Sequence, residues 1–145
     1  MKKFRKISAL MLALALICTL AVSAFADTIS GTTMYAGAAE IESHLQLEDT
    51  FAKGSIVVEA NTGNVSNCHS IISMTYVTWP EDMMRPSAYE TDTDSRDGYA
   101  TTGNSLEMHA SSGYVSVEAT ADYYVYVTVN GVAYTRYPAD LYLER

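Results

Sequence analysis

Residues 114–137, YVSVEATADYYVYVTVNGVAYTRY, decide the fold. Asn130-Gly131 stands between two alternating runs, and both residue types accept the positive φ angles of a type I′ turn, whose twist matches that of paired strands. The reading is a β-hairpin. Its two-residue loop fixes the register, setting Val129 opposite Val132, Val127 opposite Tyr134, Val125 opposite Arg136, Tyr126 opposite Thr135 and Tyr124 opposite Tyr137. One face then carries Val125, Val127, Val129, Val132 and Tyr134 and suits a core. The other carries Tyr124, Tyr126, Thr128, Ala133, Thr135 and Tyr137 and suits a half-wet surface.

Upstream, the core parity continues through Val115, Val117, Ala119, Ala121 and Tyr123. As one straight strand, residues 115–129 would span about 50 Å at about 3.3 Å each. That is long for a domain of this size, so a bend or bulge is expected near residues 119–122, carrying the chain from one sheet to another. Residues 106–109 and 114–117 flank the loop 110–113, which sets Leu106 opposite Val117 and Met108 opposite Val115, both on the core face.

Farther back, residues 38–48 match a period of two, with Ile41, Ser43, Leu45 and Leu47 alternating against Glu42, His44, Gln46 and Glu48, and predict a strand. Residues 49–54 turn the chain into a second strand at 55–60, SIVVEA, and Asn61-Thr62-Gly63-Asn64 turns it again. Residues 68–79, CHSIISMTYVTW, are apolar on both faces and read as a central strand covered on both sides, ended by Pro80. Residues 80–104 are the least regular part, with one short strand expected at 87–91. About seven strands and no helix predict an all-β, antiparallel β-sandwich of immunoglobulin-like type.

Residues 1–26 are set apart from the fold. Lys2, Lys3, Arg5 and Lys6 precede an apolar run and an Ala24-Phe25-Ala26 cleavage pattern, which together read as a secretory signal peptide. It resembles the signals of Gram-positive bacteria, and it implies a secreted, extracellular protein with no membrane anchor after cleavage. Residues 27–37, rich in Thr, Ser, Gly and Ala, are expected as a flexible lead-in, and residues 38–145 as one sandwich domain. Removing the signal leaves 5 basic against 17 acidic residues, a charge of −12. Such a charge disfavours nucleic acid and favours cationic ligands. Cys68 alone remains of the cysteines, so no internal disulfide can form after cleavage; burial or pairing between chains are its two readings.

Sites of chemistry are scarce in this pattern. His44, His69 and His109 fall on different strands without metal-ligand spacing. Cys68 and His69 are adjacent on a strand, point to opposite faces, and cannot form a nucleophile and base dyad. The acids Asp92, Asp94 and Asp97 suggest a calcium loop, but EF-hand spacing needs an oxygen ligand and then Gly where Arg96 and Asp97 stand. They are retained as a non-EF-hand calcium candidate, the plainer reading being a solvated acidic loop with no cofactor. Tyr124, Tyr126 and Tyr137 form a candidate platform for a carbohydrate or a protein surface, set against plain cross-strand packing.

No catalytic motif is present, and the sequence is read as not an enzyme. The expectation is a secreted binding or adhesion module at the cell exterior, its partner a protein or carbohydrate. The alternative is a small secreted effector, an antibacterial protein or inhibitor, acting through a protein partner.

Overall fold

A computed structural model describes residues 27–60, 65–98 and 102–145. Residues 1–26, read as a signal peptide, and the turn read at residues 61–64 lie outside the described residues. Ten strands follow one another: β1 Asp27–Ser30, β2 Met34–Ala36, β3 Ala39–Leu47, β4 Phe51–Ala60, β5 Val65–Pro80, β6 Ala88–Gly98, β7 Thr102–His109, β8 Tyr114–Val129, β9 Val132–Arg136 and β10 Leu141–Glu144. No helix occurs among the described residues. The strands form two antiparallel sheets of five. In the first, β1 and β2 share one edge of β3, followed by β4 and β7. In the second, β9 and β10 share one edge of β8, followed by β5 and β6.

The two sheets enclose one apolar core, a sandwich-like arrangement. Period-two alternation puts Ile41, Leu45 and Leu47 of β3 and Ile56 and Val58 of β4 against Cys68, Ile72, Met74 and Tyr76 of β5 and Ala121, Val125 and Val127 of β8. Gly54 sits where the sheets approach closely: a Cβ there would lie 3.1 Å from Ile72 Cγ2 and 3.5 Å from Ala121 Cβ. Polar links cross the same gap. The hydroxyl of Tyr123 donates to the His44 carbonyl at 2.6 Å, and burial, then the nearby Asp122 charge, pushes that phenol well above the ordinary tyrosine range.

The hairpin register holds pair by pair from Val129–Val132 to Val125–Arg136. Asn130 and Gly131 take φ of 51° and 79°, as a type I′ turn requires. Val132 departs from the expected core face, being 53% exposed. It lies at the hairpin tip on short β9, and Val129 alone of that pair is covered.

Other corrections follow from the sheet assignments. β8 does not switch sheets; it runs sixteen residues within the second sheet. The bulge expected at residues 119–122 lies earlier, where Val117 is the extra residue between the pairs Val77–Glu118 and Thr78–Ser116. The extra residue inverts the parity below it, so Ser116 is buried while Val115 and Val117 are only half-buried. The segments 106–109 and 114–117 are not a hairpin, because β7 pairs with β4 and the loop between them crosses from one sheet to the other. Leu106 therefore faces Gly54, and Met108 faces Ala52.

Of the turn read at residues 49–54, Phe51, Ala52, Lys53 and Gly54 belong to β4. The segment 27–37, expected as a flexible lead-in, carries the paired strands β1 and β2. β5 is central, as expected, but is covered on one face only: Ile71 and Val77 are half-buried and Trp79 is 52% exposed.

Candidate binding face on the second sheet

The uncovered face of the second sheet is built in rows, because residues paired across antiparallel strands share a side. From the hairpin end, the register lays down Thr135–Tyr126–His69–Asp97, then Tyr124–Ile71–Ser95, Asp122–Ser73–Thr93, Thr120–Thr75–Thr91, Glu118–Val77–Tyr89 and finally Val115–Trp79. The face thus has two aromatic ends and a Ser/Thr middle, where Ser73 and Thr93 hydroxyls meet at 3.1 Å.

At the hairpin end, the rings of Tyr124 and Tyr137 meet edge to face with centroids 5.4 Å apart, and His69 lies edge-on to Tyr124 at 6.3 Å. Tyr126 stands beside His69 in register. The three tyrosines of the sequence reading are therefore neighbours, but Tyr124 and Tyr126 are half-buried and Tyr137 alone is well exposed, at 70%. This is the geometry of cross-strand packing.

The opposite end is more open. Trp79 is flanked by two hollows: one of about 300 Å³ lined by Trp79, Pro80, Met83, Arg85 and Ser87, and one of about 130 Å³ lined by Val77, Trp79, Val117, Glu118, Glu144 and Arg145. Tyr89, Met83 and Met84 are more exposed still. The loop carrying the methionines is fastened down. Arg85 Nη2 donates to the Gly113 carbonyl at 3.2 Å, lies over the Tyr114 ring at 4.7 Å and pairs with Asp82 at 3.4 Å, while the Met83 N–H donates to the Pro80 carbonyl. Met83 holds φ of 53°, a left-handed conformation that costs a side-chain-bearing residue of order 1 kcal/mol or more.

The acidic residues do not form the loop read from sequence. Residues 88–98 are the edge strand β6, so alternation divides them: Asp92 and Asp94 pair with Met74 and Ile72 on the core side of the sheet, whereas Asp97 pairs with His69 on the outer side. Asp97 Oδ1 lies 2.7 Å from His69 Nδ1. The three carboxylates are not brought together, and no group of three potential metal ligands occurs among the described residues. Cys68 is buried, and its side chain faces the core while His69 faces out.

The first sheet's outer face holds a hollow of about 100 Å³ lined by Glu40, Glu42, Val57 and Glu59. Beside it, Ser30 Oγ meets His44 Nδ1 at 2.8 Å, and Glu42 lies 3.6 Å from the other ring nitrogen. The order of groups is that of a nucleophile, base and acid, with the serine exposed on the open face of the sheet.

Sequence reasoning missed the Trp79 end. It assigned Trp79 to a face covered by protein, because apolar residues on both sides of a strand usually mean burial on both. The available signal was Trp79 lying just before a Pro and just upstream of the adjacent Met83-Met84 pair, an apolar group in a segment with no strand alternation to bury it.

No protein-family model matches the chain, and no curated protein matches it. Five solved chains match. One of them, described as "X-ray structure of Northeast Structural Genomics Consortium target SoR45", is 5% identical over 83% of each chain with a TM-score of 0.30, a likeness on which no argument rests.

Proposed function

We propose that this chain is a secreted, non-catalytic β-sandwich of immunoglobulin-like type that binds a protein at the cell exterior through the Trp79 end of its second sheet. The type is supported by connectivity: the chain passes between sheets from β4 to β5 and again from β7 to β8, while β4 pairs with β7 and β5 with β8. Secretion is supported by residues 1–26 of the sequence alone.

The observation that carries the binding reading is the exposure of Trp79 and Met83 on the wall of a hollow of about 300 Å³, with Met84 next in the chain and Tyr89 on the adjacent strand also exposed. Tryptophan, tyrosine, methionine and arginine are the residues enriched at protein interfaces. A loop held by hydrogen bonds, an ion pair and a ring contact and carrying a positive-φ methionine gives up stability to display apolar side chains, which is a sign of use. Both nearby arginines are engaged within the chain, Arg85 with Asp82 and Arg145 with Asp27 and Asp49, so the charge on the hollows' walls is left to Glu118 and Glu144. A partner with an apolar centre and a basic rim fits it.

Purified residues 27–145 should be screened against extracellular proteins and cell-wall polysaccharides, with Trp79→Ala and Tyr89→Ser beside the parent. Loss of binding of about tenfold or more in both variants, with unchanged circular dichroism, is the expected result. An unchanged affinity in both would remove the Trp79 end from consideration.

A further inference from the structure

The four sheet edges of this molecule are treated unequally. On one side of the sandwich, both edges are broken into short pieces: β1 and β2, of four and three residues, and β10 and β9, of four and five. Short pieces give an incoming strand little to pair with. β7 has eight residues. β6 runs for eleven residues without Pro or Lys, and among the described residues it pairs with β5 alone. Its far end turns to the first sheet, where Arg96 Nη1 donates to the Gly103 carbonyl at 2.8 Å. Among the described residues, 88–95 keep one row of backbone groups unpaired by another strand, the Thr93 N–H of this stretch donating to the Asp92 carboxylate at 2.8 Å.

Along that edge the side chains alternate in kind. Glu90, Asp92 and Asp94 pair in register with Tyr76, Met74 and Ile72 and line the rim on the core side, with Asp92 exposed and Asp94 half-buried. Tyr89, Thr91, Thr93 and Ser95 lie on the outer side. A second copy adding here antiparallel would set acid opposite acid, and like charges directly opposite destabilise a strand pair. A strand with basic residues at alternate positions would meet those acids with opposite charge, and β-branched residues between them would pack beside Tyr89, Thr91 and Thr93.

We infer that the β6 edge accepts an extended basic segment of a partner protein by strand addition, and that its acids select against self-pairing. This goes beyond the Trp79 reading and rests on the backbone edge and the acids of β6, sharing only Tyr89 with it. The secreted chain is titrated with an eight-residue peptide of alternating Lys and Val, with the same peptide made of Glu and Val, and with the Lys-Val peptide N-methylated at alternate residues in each of the two phases. The Lys-Val peptide should bind, more weakly as salt rises. The Glu-Val peptide should not, and one of the two N-methylated phases should lose binding, because it removes the N–H groups that face the edge.

The Asp92→Asn, Asp94→Asn double variant should bind about tenfold more weakly, and Trp79→Ala should bind as the parent does, which separates failure here from failure of the Trp79 site. Binding indifferent to N-methylation in both phases would reduce the interaction to diffuse charge attraction and overturn the inference. So would equal binding of both peptides, absence of binding, or association of the chain with itself in sedimentation.

Discussion

Tyr123→Phe tests whether the hydroxyl bridge between the sheets matters and in which direction pH acts on it. Tyr123 is 4% exposed, and its hydroxyl donates at 2.6 Å to the carbonyl of His44 across the core. Removing one such bond costs about 1 kcal/mol at neutral pH. Above the ordinary tyrosine value near 10, the unfolded chain ionises this phenol. The folded chain, which holds it protonated by burial and by the Asp122 charge, does not. A folded pKa raised in this way leaves stability intact below about pH 10 and removes it as pH rises, by up to about 1.4 kcal/mol per pH unit.

Phenylalanine has no proton to lose. The variant should therefore be less stable than the parent by about 1 kcal/mol at pH 7, equal at about pH 10.6, and more stable beyond, the crossing falling where ionisation in the unfolded parent matches the lost bond. Urea midpoints by circular dichroism from neutral pH to about pH 11 would show it. All other alkaline groups are common to both proteins, so the difference isolates this one. A difference that stays constant with pH refutes the argument.

Val127→Ala, at a site with no exposure, should lose roughly 1–3 kcal/mol, whereas half-buried Tyr126→Ala should lose about 1 kcal/mol or less; equal losses in chemical denaturation would mean that both faces are covered. Gly54→Val should lose roughly 1–3 kcal/mol from contact with Ile72 and Ala121, and Gly54→Ala less, because reduced freedom of the unfolded chain offsets part of the crowding; a stabilised valine variant would show that the sheets can separate there freely. Asp122 is exposed, yet partial desolvation first, and then the charge of Asp140 and the hydrogen bond with it, raise its carboxyl above the ordinary range. Its contribution is thus present in acid and lost as pH rises, so Asp122→Asn should stabilise at neutral pH and give no gain below about pH 4, by melting temperature. Calcium at about millimolar concentration should leave the melting temperature unchanged, since Asp97 is turned away from Asp92 and Asp94; a rise would bring the carboxylates back as a site.

What was legible in the sequence is what a period of two reports. Ile41, Ser43, Leu45 and Leu47 were assigned to one side of a strand, and all four are buried. The hairpin register followed from Asn130-Gly131 because a two-residue loop leaves no freedom in pairing. The alternation does not name the partner strand. Residues 106–109 and 114–117 carry compatible patterns and a four-residue loop, yet β7 and β8 lie in different sheets, since the connection spans the sandwich end and does not fold back on itself. Nor does it locate a bulge, which costs one residue and inverts all that lies beyond: Val115 and Val117 were assigned inward on a parity that ends at Val117.

The candidate sites failed or survived for the same reason. Asp92, Asp94 and Asp97 are close in sequence, and in a loop that closeness could have become convergence. In a strand, alternation sends the third to the other side, and the acids then become the lining of an edge. Conversely, Trp79, Met83 and Arg85 share no motif, and only the course of the chain beyond β5 and the fastening of Arg85 to Gly113 bring them around one hollow, with Tyr89 exposed on the adjacent strand. Burial is specified locally, through the side each residue takes. An exposed patch is specified by which strands are neighbours and by what fails to cover them, and neither is written in the order of residues along one strand. That is why the core of this protein could be read before its fold was known, while the Trp79 surface emerged only from the assembled sheet.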